Sequence, residues 1–200
     1  MHGRTESRSL RSMRWIVLAF LAAVVVVPAA AQEPGYGPAR EMEDFGVPPV
    51  AALRTTEHSS PTPLRIPGGS LIGTQALRDL VANAEPNMRP LLIDVLGGSG
   101  HASLPGTVWL PDAGRGTSFE DATQRRLADA LQALTGGGRA RPLVFFCQGP
   151  RCWLSYNAAL RAIRLGYLAV HWYRGGIEAW LATGGILVPP RITWERLSRD

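Results

Sequence analysis

From Ser70 onward, hydrophobic positions follow two alternating patterns along the chain. Mainly apolar runs predict strands over residues 91–96 (LLIDVL), 107–110 and 143–147 (LVFFC), and residues 167–173 predict a further strand. The run over residues 143–147 is apolar throughout, as in a strand covered on both faces. Between these runs, apolar residues recur every three or four positions, as on one face of a helix. The alternation predicts an α/β fold with a mostly parallel central sheet and helices on both faces.

Capping residues and glycines set the expected helix boundaries. Thr74 is placed to cap a first helix, and Ser118 with Asp121 makes a capping-box-like start for a second, which continues to Leu134 and ends at the glycines of residues 136–138. Further helices are predicted over residues 153–165 and 177–183. The apolar face of the first helix is predicted to hold Leu77, Leu80, Val81 and Ala84.

The first 31 residues have the pattern of a secretory signal peptide. Four arginines precede an uncharged apolar run over residues 15–27, and an A-x-A sequence follows at residues 29–31. The run is shorter than the ~20 residues that span a bilayer, which favours cleavage after Ala31 over an uncleaved anchor. We therefore expect an exported, periplasmic protein with no stable membrane association after cleavage.

The formal charge of +5 is concentrated in this first segment. Because residues 1–31 carry four arginines and one glutamate, the rest of the chain is near neutral and no nucleic-acid partner is expected. Residues 32–68 hold seven of the sixteen prolines and predict an extended arm, packed in places by Tyr36, Phe45 and Val50, or a loose linker. The globular domain is then expected over residues 69–190, followed by a C-terminal tail at residues 191–200.

The two cysteines, Cys147 and Cys152, flank the turn between a predicted buried strand and a predicted helix. Ligands of parallel sheets bind beyond the carboxyl ends of the strands, where Cys147 is expected. Backbone N–H groups in such a turn and the positive end of the helix dipole stabilise an anion, Gly149 permits a tight turn, and Arg151 adds positive charge. These features predict a lowered pKa for the Cys147 thiol and make Cys147 a candidate nucleophile.

The order of these features resembles the rhodanese-like sulfurtransferase superfamily over residues 70–190. The resemblance is carried by the strand LLIDV with Asp94, the segment LPGTVWLP at 104–111, Asn157-Ala158-Ala159 after the cysteine turn, Gly166-Tyr167, Gly175-Gly176 and Ala179-Trp180. A closer similarity is to the exported rhodanese-like group associated with PQQ-dependent alcohol catabolism and named for its CXXCW motif. It is carried by CW at 152–153, LSYNAA at 154–159 and HWY at 171–173, although here four residues separate the cysteines.

The resemblance implies a rhodanese fold in which Cys147 becomes a persulfide and passes its sulfur to a thiophilic acceptor. It also implies that the backbone from Gln148 to Cys152 cradles the persulfide. From the spacing of the two cysteines we expect Cys152 to be the resolving or redox partner. We assign the substrate-binding loop to Gln148, Gly149, Pro150, Arg151 and Trp153, with Asp94 and His171 as supporting residues. The resemblance implies no cofactor beyond the transient persulfide, and no PQQ binding. The expected partners are a small sulfur donor or acceptor, or a periplasmic thiol protein. This chemistry requires the Cys147 sulfur to be open to solvent, with the N–H groups after it facing the sulfur.

Two differences from the rhodanese pattern bear on the substrate. The usual loop ends in an arginine five positions after the nucleophile, where this chain has Cys152, and Leu96 stands where an arginine commonly follows the strand aspartate. Both differences remove positive charge from the place where thiosulfate, a dianion, would bind. The related phosphatases require Cys-x5-Arg, and Trp153 occupies the position of that arginine, which disfavours phosphatase activity.

Other functions and roles remain open at the level of sequence. The chain fits a thiol–disulfide redox protein, because two cysteines five positions apart in an oxidising compartment can pair, or a non-catalytic accessory module of periplasmic PQQ-dependent alcohol oxidation. A purely structural disulfide would close a short ring, worth only ~2 kcal/mol by loop entropy. A zinc site joining the cysteines to His58, His101 or His171 lacks a second closely spaced ligand pair. Asp94 and His171 also fit purely structural roles.

Overall fold

A computed structural model describes residues 38–197 of the chain. The predicted signal peptide and Tyr36 lie outside the described residues. No helix within residues 38–197 has the length and apolar character that crossing a bilayer requires.

Six short strands occur in the described part of the chain and form one sheet. They are β1 (Ser70–Leu71), β2 (Leu91–Asp94), β3 (Val108–Trp109), β4 (Leu143–Phe146), β5 (Val170–Trp172) and β6 (Ile192–Thr193). The strand order is β1-β5-β4-β2-β3-β6, and every neighbouring pair is parallel. The prediction of an α/β fold with a parallel sheet is confirmed.

Helices connect these strands and cover the sheet. They are α1 (Pro38–Glu41), α2 (Thr74–Asn83), α3 (Ala122–Thr135), α4 (Trp153–Arg164), α5 (Gly176–Ala182) and α6 (Trp194–Leu197), with one 3-10 turn at Pro86–Met88.

The central strands are buried on both faces of the sheet. Their successive side chains point to opposite sides, so neighbouring residues pack against different helices. Ile93 and Phe145 pack with α3, α4 and α6 on one side. Leu92 and Val144 pack with α2 and α5 on the other side. Helices on both faces therefore explain why β4 is apolar throughout and why β2 is apolar up to its last residue, Asp94.

Two details of the predicted helices are wrong. Thr74 is the first residue of α2 and not its cap. The buried carboxylate of Glu41 in the preceding segment accepts from the Thr74 N–H at 2.9 Å and from its hydroxyl at 2.7 Å, which places a negative charge at the helix N-terminus. Val81, predicted for the buried face of α2, is 42% exposed. At α3 the N-cap is Asp121, whose carboxylate accepts from the Gln124 N–H.

The C-terminal region also adds to the sheet. Residues 191–200 were expected to form a tail, yet β6 pairs with β3 and the side chain of Trp194 in α6 is buried in the core. Elements of two and four residues are too short for periodicity to reveal.

The proline-rich segment over residues 38–68, called the arm below, is packed along α4 and not a loose linker. The Tyr156 hydroxyl donates to the Val50 carbonyl at 2.8 Å, and the Asn157 side chain bonds both the N–H and the carbonyl of Arg54. Of the predicted packing residues, Phe45 lies against the Arg174 guanidinium, whereas Val50 is 39% exposed and contributes mainly its backbone. The arm thereby passes over the start of α4, where the cysteines lie.

Candidate functional site: a disulfide at the carboxyl edge of the sheet

The turn between β4 and α4 carries both cysteines. Cys147 directly follows β4, and Cys152 is the N-cap residue of α4. The two residues form a disulfide, with their Cα atoms 6.4 Å apart, and the described residues contain no free cysteine. We call residues 147–152 the cysteine loop.

The two sulfurs differ in their access to solvent. Cys147 is 1% exposed, whereas Cys152 is 9% exposed and borders a cavity at the surface. In the disulfide state, the expectation that the Cys147 sulfur is open to solvent is therefore wrong. Of the two cysteines, Cys152 is the one that borders the cavity.

The N–H groups expected to face an anion are fewer than predicted. Pro150 has no N–H group. The Cys152 N–H donates to the Gly149 carbonyl at 3.0 Å, and the Trp153 N–H donates to the carbonyl of His58 in the arm at 2.9 Å. Within the cysteine loop, the N–H groups of Gln148, Gly149 and Arg151 remain as candidate donors to an anion.

A buried hydroxyl lies next to Cys147. The Ser155 Oγ is 3.1 Å from the Cys147 Sγ and 3.3 Å from the Cys152 carbonyl oxygen, and it accepts a hydrogen bond from the Trp172 Nε1 at 3.0 Å. A disulfide sulfur carries no proton, and the one hydroxyl proton of Ser155 is donated to the Cys152 carbonyl oxygen, so the approach of Ser155 to the oxidised Cys147 sulfur is a contact without a hydrogen bond. Sequence reasoning missed Ser155, although its place in the first turn of α4 was a usable signal.

The cavity above Cys152 has a volume of about 550 Å³ and is here called the site cavity. Four of the predicted site residues border it, namely Gln148, Gly149, Arg151 and Cys152. The other lining residues were not among the predicted site residues and come from five segments: His58 and Ser59 of the arm, Leu96, Gly97 and Gly98 after β2, Asp112 and Arg115 after β3, Leu154 of α4, and Glu178 of α5.

The charged groups of the site cavity balance one another. The Arg115 Nε lies 2.7 Å from an oxygen of Asp112, and the Gln148 side chain donates to Glu178 at 3.1 Å. Burial raises the pKa of the Glu178 carboxyl, and the Gln148 hydrogen bond opposes that rise. Arg151 is exposed and forms no ion pair with another described residue.

The N-terminus of α5 fixes the cysteine loop from the opposite side. The Ile177 N–H donates to the Cys147 carbonyl, and the Glu178 N–H donates to the Gln148 carbonyl, both at 3.0 Å. Gly176 has a φ of 57°, and a Cβ there would collide with the backbone of Cys147 and Gln148. A glycine is thus required where α5 meets the loop.

Besides Cys147, four predicted site residues do not line the site cavity. Pro150 is buried, and its carbonyl accepts from the Thr62 hydroxyl at 2.7 Å. The Trp153 ring is 2% exposed and donates to the Pro61 carbonyl. His171 lies in β5, where its Nδ1 bonds the Ser70 hydroxyl and burial lowers its pKa.

Asp94, the fourth, supports the site cavity from beneath. Its carboxylate is fully buried and accepts from the Leu96 N–H, from the His101 ring at 2.6 Å and from the Ser103 hydroxyl at 2.6 Å. These bonds fix the turn that brings Gly97 and Gly98 to the cavity wall. The arrangement indicates a positioning role for Asp94.

A metal centre is another kind of candidate site. The described residues contain no group of three or more His, Cys, Asp or Glu side chains arranged to hold a metal ion. His58, His101 and His171 do not converge on the cysteines, since their rings bond the Arg54 carbonyl, Asp94 and Ser70 respectively.

Several solved structures are similar to this chain. Similar solved structures include a thiosulfate sulfurtransferase from Pseudomonas aeruginosa (17% identity, TM-score 0.45, covering 62% of this chain and 21% of that one). A protein from Anabaena sp. (20%, 0.43, 62% and 84%) and the single-domain sulfurtransferase RDL2 from Saccharomyces cerevisiae (22%, 0.40, 58% and 92%) are similar as well. This chain thus spans about a fifth of the Pseudomonas enzyme's length. No curated protein matches the sequence.

The family itself is given by the sequence profile. The profile of the rhodanese-like domain matches residues 77–183, which is more than half of the chain and runs from α2 to the end of α5. The cysteine loop lies within this match, whereas the arm precedes it. The chain belongs to the rhodanese-like domain family.

Proposed function

We propose that the protein is an exported sulfurtransferase that works through the Cys147–Cys152 pair. The observation that carries the proposal is that the cysteine at the end of β4, in a rhodanese-like domain, lies within bonding distance of a second cysteine on the same loop. Export is supported by the signal-peptide pattern of residues 1–31 and suits a protein whose cysteines pair, since disulfides persist in oxidising compartments.

The reaction begins from the reduced pair. The Cys147 thiolate attacks the sulfane sulfur of a small donor, a bond forms between these sulfurs, and the rest of the donor leaves with the electron pair. A persulfide now extends from Cys147. An acceptor thiolate then attacks the terminal sulfur and carries it away, which returns Cys147 to the thiolate.

Cys152 supplies a second outcome for the persulfide. Its thiolate attacks the Cys147 sulfur, the persulfide S–S bond breaks, and hydrosulfide leaves with the electron pair. The product is the Cys147–Cys152 disulfide, the state that the structure contains. A reducing thiol must then open the disulfide before Cys147 can react with another donor, because Cys147 has no thiolate while it is bonded to Cys152.

The charges of the site cavity bear on the donor. Arg115 and Arg151 are matched by Asp112 and Glu178, so the cavity offers a dianion no net attraction. We propose a donor of low charge rather than thiosulfate, and a small thiol or a periplasmic thiol protein as the acceptor. The subgroup named for the CXXCW motif remains our proposal for the placement of this chain within the family.

The test uses a variant in which the persulfide cannot be resolved. Reduced Cys152→Ser protein, incubated with a sulfane donor, should gain ~32 Da on the peptide that contains Cys147. The matched Cys147→Ser protein should gain no such mass at the corresponding residue. If Cys152→Ser protein stays unmodified while the donor is consumed by a known sulfurtransferase in the same buffer, the proposal is wrong.

A further inference from the structure

The two sulfurs of the disulfide are not equivalent targets for an incoming thiol. A thiolate opens a disulfide by attacking one sulfur in line with the S–S bond, and the other sulfur leaves. Cys147 is 1% exposed and does not border the site cavity, whereas Cys152 forms part of the cavity wall. A thiol in the site cavity therefore meets Cys152, and Cys147 is the leaving group.

The surroundings of Cys147 suit a leaving thiolate. The Ser155 hydroxyl lies 3.1 Å from its sulfur, accepts from the Trp172 indole N–H at 3.0 Å and donates to the Cys152 carbonyl oxygen at 3.3 Å. When Cys147 becomes a thiolate, the hydroxyl proton can turn from that carbonyl to the charged sulfur. The first turn of the twelve-residue helix α4 is adjacent, and its dipole stabilises negative charge. No such hydroxyl contacts the Cys152 sulfur among the hydrogen bonds of the described residues.

The charges that border the site cavity indicate the class of thiol. Arg151 is exposed without an ion-pair partner among the described residues, and Glu178 offers a carboxylate whose one hydrogen bond comes from the neutral Gln148 side chain. Arg115 and Asp112 neutralise each other. A molecule that carries both an ammonium and a carboxylate group could pair with Glu178 and Arg151 at once, which a singly charged thiol could not.

We propose that the site cavity binds a small zwitterionic thiol, of the amino-acid or short-peptide class, whose sulfur opens the disulfide by attack on Cys152. The thiol first loses its proton to water. Its thiolate forms a bond to the Cys152 sulfur, the S–S bond to Cys147 breaks, and Cys147 takes the electron pair. The incoming sulfur is oxidised to a mixed disulfide with Cys152, and the Cys147 sulfur is reduced to a thiolate. This step needs no persulfide, so it stands or falls separately from the proposed sulfur transfer.

The first experiment identifies the attacked sulfur. Oxidised protein is mixed briefly with cysteine, quenched with excess iodoacetamide and digested. The mixed disulfide should lie on Cys152 and the carbamidomethyl group on Cys147. Single-cysteine variants serve as a control, because they cannot re-form the disulfide. The Cys152 thiol of Cys147→Ser protein should react with an aromatic disulfide at least about tenfold faster than the Cys147 thiol of Cys152→Ser protein. A mixed disulfide on Cys147, or equal rates for the two variants, would overturn the proposal.

The second experiment tests the class of thiol. Opening rates are compared for cysteine (zwitterionic), cysteamine (cationic), mercaptopropionate (anionic) and mercaptoethanol (uncharged), each corrected for its own thiol pKa by the Brønsted relation. Cysteine should exceed the common line by about tenfold, as expected for two added charge contacts. Arg151→Gln should abolish this excess, whereas Arg65→Gln, at an exposed arginine outside the site cavity, should retain it. If the rates for all four thiols fall on one Brønsted line, or if the two variants have equal effects, the proposal is contradicted.

Discussion

Replacement of the buried Ser155 hydroxyl should make the disulfide harder to reduce. In the oxidised protein, Ser155→Ala removes a neutral contact with the Cys147 sulfur. In the reduced protein, it removes a hydrogen bond to a thiolate. Hydrogen bonds to charged groups contribute about 1.5–3 kcal/mol and those between neutral groups about 0.5–1.5 kcal/mol. Ser155→Ala should therefore destabilise the reduced protein by about 1.4 kcal/mol more than the oxidised protein.

A second effect of Ser155→Ala is common to both redox states. The Trp172 indole N–H loses its acceptor in a fully buried position, which costs about 1–3 kcal/mol of the free energy of unfolding. Because this cost is present whether the cysteines are oxidised or reduced, it cancels from the equilibrium between the two states.

The assay is equilibration in glutathione redox buffers, with reduced protein quantified by alkylation and mass spectrometry. The equilibrium constant for reduction of Ser155→Ala protein should fall about tenfold, equivalent to a reduction potential about 30 mV more negative. Ser118→Ala, which removes a hydroxyl near α3 that accepts only from the Glu120 N–H, should leave the constant unchanged. If Ser155→Ala lowers the unfolding free energy while the redox constant stays the same, Ser155 is a packing residue and the reasoning about the thiolate fails.

Three further predictions concern the frame of the site. Gly176→Ala should distort the cysteine loop and lower thiol-exchange rates at least about tenfold, whereas Gly184→Ala, which has the same sign of φ but open space around its Cα, should change only stability, by about 1 kcal/mol, in urea unfolding. Asp121→Asn leaves the buried Arg161 without its counter-charge and should cost about 3 kcal/mol of unfolding free energy. Burial alone would raise the pKa of Asp121, but hydrogen bonds, first that from Arg161, lower it well below its ordinary value. The free energy of unfolding of the wild type should therefore decline as the pH falls below the ordinary aspartate range. An Asp121→Asn protein whose stability is as steeply pH-dependent as that of the wild type would contradict this. Asn157→Ala should release the arm and raise its tryptic cleavage severalfold without loss of the domain's helical signal, and an arm that stays protected would show that other contacts suffice.

The sequence predicts the sheet well because β4 is apolar at every position and β2 at every position but its last, Asp94, a pattern typical of strands covered on both faces. The place of Cys147 at a strand end follows from the same pattern. The elements that escaped prediction, such as β6, are too short to have a period and are held by pairing with distant residues. Tertiary contacts, which no local pattern encodes, decide such elements.

The site is harder to predict than the fold, for a physical reason. Local sequence identifies the cysteine loop, but the cavity wall is assembled from the arm, two turns at the carboxyl edge and α5. The burial of Cys147 depends on which sulfur the disulfide turns toward the surface. Likewise, Glu41 takes the capping role expected of Thr74 from 33 residues away.

The arm supplies hydrogen-bond acceptors for the first N–H groups of two helices. The Glu41 carboxylate serves the first N–H of α2, and the His58 carbonyl serves the first N–H of α4. Both residues precede the part of the chain that the family profile matches. A fragment trimmed to the family boundary would keep both cysteines and strands β2 to β5, but it would lose both edge strands, the first residues of α2 and one wall of the site cavity, and it would leave the N-terminus of α4 hydrated. The reactivity of such a fragment toward thiols should differ from that of the full chain. Transplanting the arm onto other rhodanese-like domains therefore offers a way to alter which sulfur compounds they accept.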